Sequence, residues 1–227
     1  MCRVGLSRRA WRAGVALPYH RDVSDAIVIR LADPDRDGPA VAAIYAPSVV
    51  DSVASFELVP PDGAEMAARI TKTLAWSPWL VAESGDALVG YAYATRHRER
   101  AGYRWAVDLS VYVASGRQGS GIGRRLYEVL LPILRAQGFL HAFAGITPPN
   151  PASIALHAAM GMTPVGTYER VGYKLGAWWS VTWMGSQLVP ELPTAPEEPT
   201  PLPDLLATPE GRSRVQAILD GHPRPGD

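Results

Sequence analysis

The sequence predicts a single α/β domain in which one mixed sheet is layered against helices. Three observations predict it. Between residues 27 and 188, apolar residues recur at strand spacing and at helix spacing in alternation. A central hairpin and a terminal pair of strands do not fit a purely parallel sheet. A glycine-rich loop joins a strand directly to a helix in mid-chain.

Residues 27–31 form a short apolar run suited to a first strand, which Asp33-Pro34-Asp35 breaks. Val41, Ile44, Tyr45 and Val49 then recur at helical spacing. A loop follows through Phe56-Glu57 and Pro60-Pro61. Asp62 with Glu65 three residues on reads as a capping box, opening a helix through Met66, Ile70 and Leu74. Residues 79–83 and 87–95 flank the turn Ser84-Gly85-Asp86 and read as a hairpin. A third strand at 105–113 runs into the glycine-rich loop and a helix at 122–137, in which Pro132 is expected to cause a kink. Residues 140–146 form another strand. Asn150-Pro151 opens a second helix, since asparagine caps well and proline is favoured at the first helical position. Gly161 ends that helix, and strands at 164–168 and 178–188 close the domain.

The two ends differ in composition. The first 26 residues carry Arg3, Arg8, Arg9, Arg12 and Arg21 with no acid before Asp22, and read as a disordered basic extension. Residues 189–227 carry nine prolines and read as an extended proline-rich tail, with one short helix around 212–220. The domain expected between them, 27–188, is of ordinary size.

Hydrophobic residues make up 47% of the 227 and charged residues 19%, the balance of a soluble enzyme. With 22 basic and 22 acidic side chains, the formal charge of +0 gives no general attraction to nucleic acid or an anionic membrane. The single cysteine, Cys2, cannot form an internal disulfide. No run approaches the ~20 apolar residues that span a bilayer. The expectation is a cytoplasmic protein with no membrane or nucleic-acid partner. The five histidines lack ligand spacing, so no metal is expected.

The segment from Val111, Tyr112 and Val113 through Gln118, Gly119, Ser120, Gly121, Ile122, Gly123 and Arg124 is the most informative in the chain. Small residues let backbone N–H groups converge, and the next helix presents its positive end to the same spot, a combination that binds phosphate. Two better-known phosphate loops fail to fit. Counting from Gly119, the last glycine of a dinucleotide fingerprint falls on Arg124, and Gly121 is followed by Ile122 where a nucleotide-triphosphate loop needs lysine. A flexible glycine turn is the plain alternative.

Gln118-x-x-Gly121-x-Gly123 after Val-Tyr-Val resembles the pyrophosphate loop of GNAT acetyltransferases, Q/R-x-x-G-x-G/A. Asn150-x-x-Ser153-x-x-x-His157 is similar to the second cofactor segment of that superfamily. Ser55-Phe56-Glu57, Trp79-Leu80-Val81-Ala82-Glu83, Tyr103-Arg104-Trp105 and Gly172-Tyr173-Lys174 look like its phosphinothricin and methionine sulfoximine acetyltransferase branch. The resemblance covers the core and neither tail. It implies a GNAT-type mixed, mostly antiparallel central sheet flanked by helices, and transfer of acetyl from acetyl-CoA to the amine of a small amino-acid-like acceptor.

Carried over residue by residue, the resemblance implies cofactor contacts along 111–113 and 118–124 and at Asn150 and Ser153. It implies an oxyanion donor near the Val111 N–H and a cofactor-side group at His157. Asp108 is the candidate base. The branch usually holds glutamate there, and aspartate is one methylene shorter, so a bridging water enters the expectation. An aspartate that merely binds a backbone N–H is the alternative, as is a packing role for His157. Phe56, Arg98 and Tyr112 are expected at the acceptor, with Arg104, Trp105 and Trp178 as further candidates. Ala177-Trp178-Trp179-Ser180 lacks the polar His-Asp pair of some herbicide-inactivating members, which weakens carry-over of phosphinothricin itself. The resemblance also implies a homodimer, for which the tryptophan-rich last strand (Trp178, Trp179, Trp183) is the expected interface. A non-catalytic acyl-CoA-binding module and a protein N-terminal acetyltransferase are the alternatives.

Overall fold

A computed structural model describes residues 27–221; the basic N-terminal segment lies outside the described residues. Seven strands form one sheet in the order β1-β2-β3-β4-β5-β7-β6. They are β1 (Ile27–Leu31), β2 (Trp79–Ser84), β3 (Ala87–Arg96), β4 (Ala106–Val113), β5 (His141–Ile146), β6 (Thr163–Lys174) and β7 (Ala177–Gln187). Only β4 and β5 run parallel; every other neighbouring pair is antiparallel.

The helices are α1 (Pro34–Val50), α2 (Gly63–Leu74), α3 (Ile122–Gln137), α4 (Pro151–Ala159), α5 (Leu202–Ala207) and α6 (Pro209–Asp220). Asp33-Pro34 ends β1 as expected and also starts α1. The Asp33 side chain accepts from the N–H groups of Asp35 and Arg36, and Pro34 takes a first-turn position where a missing N–H costs nothing. The Asp62 half of the expected capping box forms, its Oδ1 accepting from Glu65 N at 2.8 Å, while the Glu65 carboxylate accepts from Arg69 at 2.5 Å. Pro132 lies inside α3, which runs on to Gln137.

Two cores sandwich the sheet. On one face Leu126, Leu130 and Ile133 of α3 bury against Ala92, Val107 and Ala142. On the other, Val41, Met66 and Ile70 of α1 and α2 cover Trp79, Val81 and Tyr91. The proline-rich segment is bound to the first of these layers. Thr200 N donates to Gln137 O at 2.7 Å and Leu202 N to Trp76 O at 3.1 Å, while Leu202 and Val215 join the α3 core. Two helices, rather than one, therefore lie in the segment read as a tail. Among the described residues no helix is long and apolar enough to cross a membrane.

Candidate active site

The parallel strands β4 and β5 are paired only at Ala106↔His141, Val107↔Ala142 and Asp108↔Phe143. Beyond Asp108 they part, although β4 continues to Val113 and β5 to Ile146. Ala106 O accepts from His97 N and Ala114 N donates to Val89 O, so the even-numbered residues of β4 bond toward β3. The polar backbone groups of Leu109, Val111 and Val113 consequently face the gap. A cavity of about 650 Å³ opens there, bounded by residues 109–113 of β4, 144–146 of β5, the glycine loop and α4.

The loop follows from its glycines. Gly116, Gly119 and Gly121 have φ of +79°, +76° and +84°, a region that costs L-residues with a Cβ about 1–2 kcal/mol. Gly121 is the N-cap of α3 and no side chain caps that end, so its first N–H groups are left to a ligand. Gln118 braces the loop: its Oε1 accepts from Gly116 N at 3.0 Å and its amide reaches Val113 O at 3.4 Å. Arg117, Gly123, Arg124, Asn150 and Ser153 also border the cavity. Asn150 caps α4 by accepting from Ser153 N at 3.1 Å. Ser120 is absent from the cavity wall; its hydroxyl donates to Arg117 O at 2.5 Å, which is a loop-holding role.

His157 is 3% exposed and borders the same cavity. Its Nδ1 lies 2.7 Å from the Ser153 carbonyl, which can only accept, so Nδ1 carries the hydrogen. Nε2 then accepts from the Tyr127 hydroxyl at 3.0 Å. Burial lowers the imidazole pKa, with the Ser153 carbonyl opposing, so the ring is neutral with both nitrogens engaged.

Asp108 projects from the opposite face of β4, at the last ladder pair before the strands part. Burial pushes its carboxyl up from the ordinary aspartate range, while His97 and Arg98 oppose the rise. His97 Nδ1 stands 2.6 Å from Asp108 Oδ1. Arg98 adjoins them, its guanidinium 5.7 Å from the Trp183 ring and 3.4 Å from the Tyr168 hydroxyl. Arg104 is committed elsewhere, ion-paired with Glu198, and the Trp105 indole donates to Glu197 O. Trp178 is 61% exposed and packed on Tyr173.

Phe56 lies against Gly172, where a Cβ would come within 2.2 Å of its ring. The loop that carries it is tied down on both sides. Lys174 Nζ donates to Ser55 O at 2.6 Å, and Arg69 binds both oxygens of Glu57 at 2.7 and 2.9 Å. Tyr45 donates to Glu57 at 2.8 Å, and burial pushes its pKa up to about 12. Tyr112 packs edge-on to Tyr45 at 4.9 Å and borders the large cavity.

Sequence reasoning missed His97. It stands in the charged run Arg96-His97-Arg98-Glu99-Arg100, a composition common on solvated surfaces. Its period-two alternation with Tyr91, Tyr93 and Thr95 was the available signal, since it puts all four on the face that bears Asp108.

The chain as a whole is similar to known proteins. The acetyltransferase (GNAT) domain family matches residues 36–183. Phosphinothricin N-acetyltransferase from Alcaligenes faecalis is 42% identical over 165 residues, 72% of this chain and 84% of that protein. L-methionine sulfoximine/L-methionine sulfone acetyltransferase from Salmonella typhimurium is 35% identical over 164 residues, 71% of this chain and 95% of that protein. The structure of a GNAT superfamily phosphinothricin acetyltransferase from Sinorhizobium meliloti, in complex with AcCoA, matches with a TM-score of 0.71 at 36% identity. That match covers 77% of this chain and 94% of the other. A family match over most of the domain, joined to this sheet and loop, establishes that the chain belongs to the GNAT family and is an acetyl-CoA-dependent acetyltransferase.

Proposed function

We propose that the enzyme acetylates the primary amine of a small amino-acid-like acceptor of the phosphinothricin or methionine sulfoximine type. One observation carries the reading. A half-buried carboxylate, Asp108, stands at the apex of an opening in the sheet, with a phosphate-binding loop on one side and a polar, aromatic surface on the other.

In this reading acetyl-CoA lies with its pyrophosphate over the start of α3 and its thioester in the gap. An alkyl ammonium has a pKa near ~10, so a proton must leave before nitrogen can attack. Asp108 supplies the negative charge that draws that proton, through a bridging water. Nitrogen bonds to the carbonyl carbon, the Val111 N–H receives the developing oxyanion, and the carbon–sulfur bond then breaks. A CoA thiolate is a fair leaving group. His157, neutral and bonded at both nitrogens, serves as cavity wall against the pantetheine arm. Arg98 pairs with an acceptor carboxylate, and Phe56 and Tyr112 bound the acceptor's side chain.

CoA release with acetyl-CoA across amino acids and analogues, phosphinothricin and methionine sulfoximine included, tests this reading. Rapid turnover on a free amino-acid analogue is expected. Turnover only on an alanine-initiated peptide points to a protein N-terminal acetyltransferase. Acetyl-CoA binding with no turnover on any amine points to a binding module.

We further assign the working unit as a homodimer. β6 is an edge strand, and its hairpin with β7 exposes Val165, Tyr168, Val171, Tyr173, Leu175 and Trp178, each at least half accessible. Monomers seldom leave so continuous an apolar edge uncovered. Sedimentation velocity is expected to give about twice the 24.5 kDa monomer mass. Trp178→Glu should shift the boundary to the monomer, and a wild-type monomer at micromolar concentration refutes the assignment.

A further inference from the structure

His97 is held too specifically for a residue of a solvated charge run. Its ring stacks on Phe143 with centroids 4.5 Å apart and meets Trp183 and Tyr103 edge-on at 5.9 and 6.1 Å. Its side chain retains only 15% exposure, and its backbone N–H donates to Ala106 O at 3.3 Å. These contacts leave the imidazole one orientation, in which Nδ1 meets Asp108 at 2.6 Å. With the carboxylate ionised, Oδ1 can only accept, so Nδ1 carries the hydrogen and Nε2 is the basic nitrogen. His97 also borders a second cavity of about 330 Å³, lined further by Tyr103, Trp105, His141 and Pro193.

We propose that the base of this enzyme is the Asp108–His97 pair, with His97 Nε2 as the atom that carries the amine proton away. The inference rests on the reading of Asp108 as the charge that drives deprotonation. The acceptor ammonium loses one proton, directly or through a water, to Nε2. The ring becomes an imidazolium whose Nδ1–H stays on the Asp108 carboxylate. The freed lone pair bonds to the thioester carbon, the carbon–sulfur bond breaks, and the second proton shed by the nitrogen goes to the departing CoA thiolate. The imidazolium later returns its proton to water by way of the second cavity. No other reactant is needed. The arrangement also accounts for an aspartate at a position where the resembled branch usually holds glutamate, because the reach of the missing methylene is supplied by the imidazole. The other charged or titratable groups around the ring are Arg98, Tyr103, His141 and Tyr168.

Two variants test the assignment. His97→Asn keeps an N–H donor where Nδ1 stood but has no basic nitrogen. It is expected to lower kcat about 30-fold with the acetyl-CoA KM within about twofold. His97→Gly leaves a hole bounded by Phe143 and Tyr103. Added imidazoles are expected to restore its turnover saturably, with rates that rise with the basicity of the added compound. A structural histidine would not show that dependence. Wild-type turnover in His97→Asn overturns the proposal. So does a folded His97→Gly variant that binds acetyl-CoA and ignores imidazole. Asp108→Asn separates the two readings: an inactive Asp108→Asn beside an active His97→Asn removes His97 alone, whereas full activity in both removes Asp108 as well.

Discussion

Asp108→Asn is expected to lower kcat by about 10³-fold while leaving the acetyl-CoA KM within about twofold. Asparagine preserves the volume at the end of the β4–β5 ladder, so the sheet opening and the cavity behind it remain. What it removes is the charge. An amide at that position neither draws a proton from the acceptor nor stabilises an imidazolium at His97, 2.6 Å away. A fall in kcat with unchanged cofactor affinity marks a group used in the transition state rather than in binding. Unaltered turnover would take Asp108 out of the mechanism.

The same substitution has a stability consequence of opposite sense. Burial raises the Asp108 carboxyl above its unfolded value, against the opposing pull of His97 and Arg98. A group with a raised folded pKa favours the folded state most below its unfolded pKa and loses that contribution as pH rises through the folded pKa. At neutral pH the ionised carboxylate is therefore a cost to the fold. Asp108→Asn should unfold no more easily than wild type near pH 7, and its relative advantage should shrink as pH falls through the raised folded pKa and be gone below about 4, the unfolded aspartate range. Calorimetric melting across that range measures it. A large drop in Tm at pH 7 would show that the His97 bond outweighs desolvation.

The legible parts of this fold are those with a local signal. Asp62 announces α2 because an aspartate at that position satisfies a free N–H of the first turn, and Ser84-Gly85-Asp86 announces the hairpin because Gly85 takes φ of +57°. The glycine loop was readable for the same reason. Asp33-Pro34 was read only as the end of β1, because a cap followed by a first-turn proline is written with the same residues as a turn. β6 was cut short at Tyr168, where a register shift before Gly172 and φ of +49° at Arg170 interrupt the period-two pattern. Its side chains are exposed almost throughout, so no buried face marks its length. The packing of the proline-rich segment depends on Gln137 and Trp76, more than 60 residues away from Thr200. His97 belongs with these, since its meaning comes from the β3–β4 register and from Phe143 on β5.

Gly121→Val is expected to weaken acetyl-CoA binding by about 10²-fold, equivalent to about 2.7 kcal/mol, with the domain still folded. The argument separates backbone from volume. A Cβ at Gly121 meets nothing within 4 Å, so no clash opposes the side chain itself. The φ of +84° opposes it, and a β-branched residue tolerates that region worst. Relief requires the N-cap to rotate toward negative φ, which turns the uncapped N–H groups of α3 away from the cavity they face. Anion binding at a helix start depends on those vectors, and so does the pyrophosphate. Gly123→Ala gives the contrast. Gly123 has no positive φ, but its Cβ would stand 3.1 Å from Leu156 Cδ2 of α4, a close contact at the junction of the two helices. It should cost a few-fold in affinity by displacing α4, and the N–H geometry of the loop should survive. Titration calorimetry with acetyl-CoA distinguishes the two. If Gly121→Val binds acetyl-CoA like wild type, the N-terminus of α3 is not where the pyrophosphate is held.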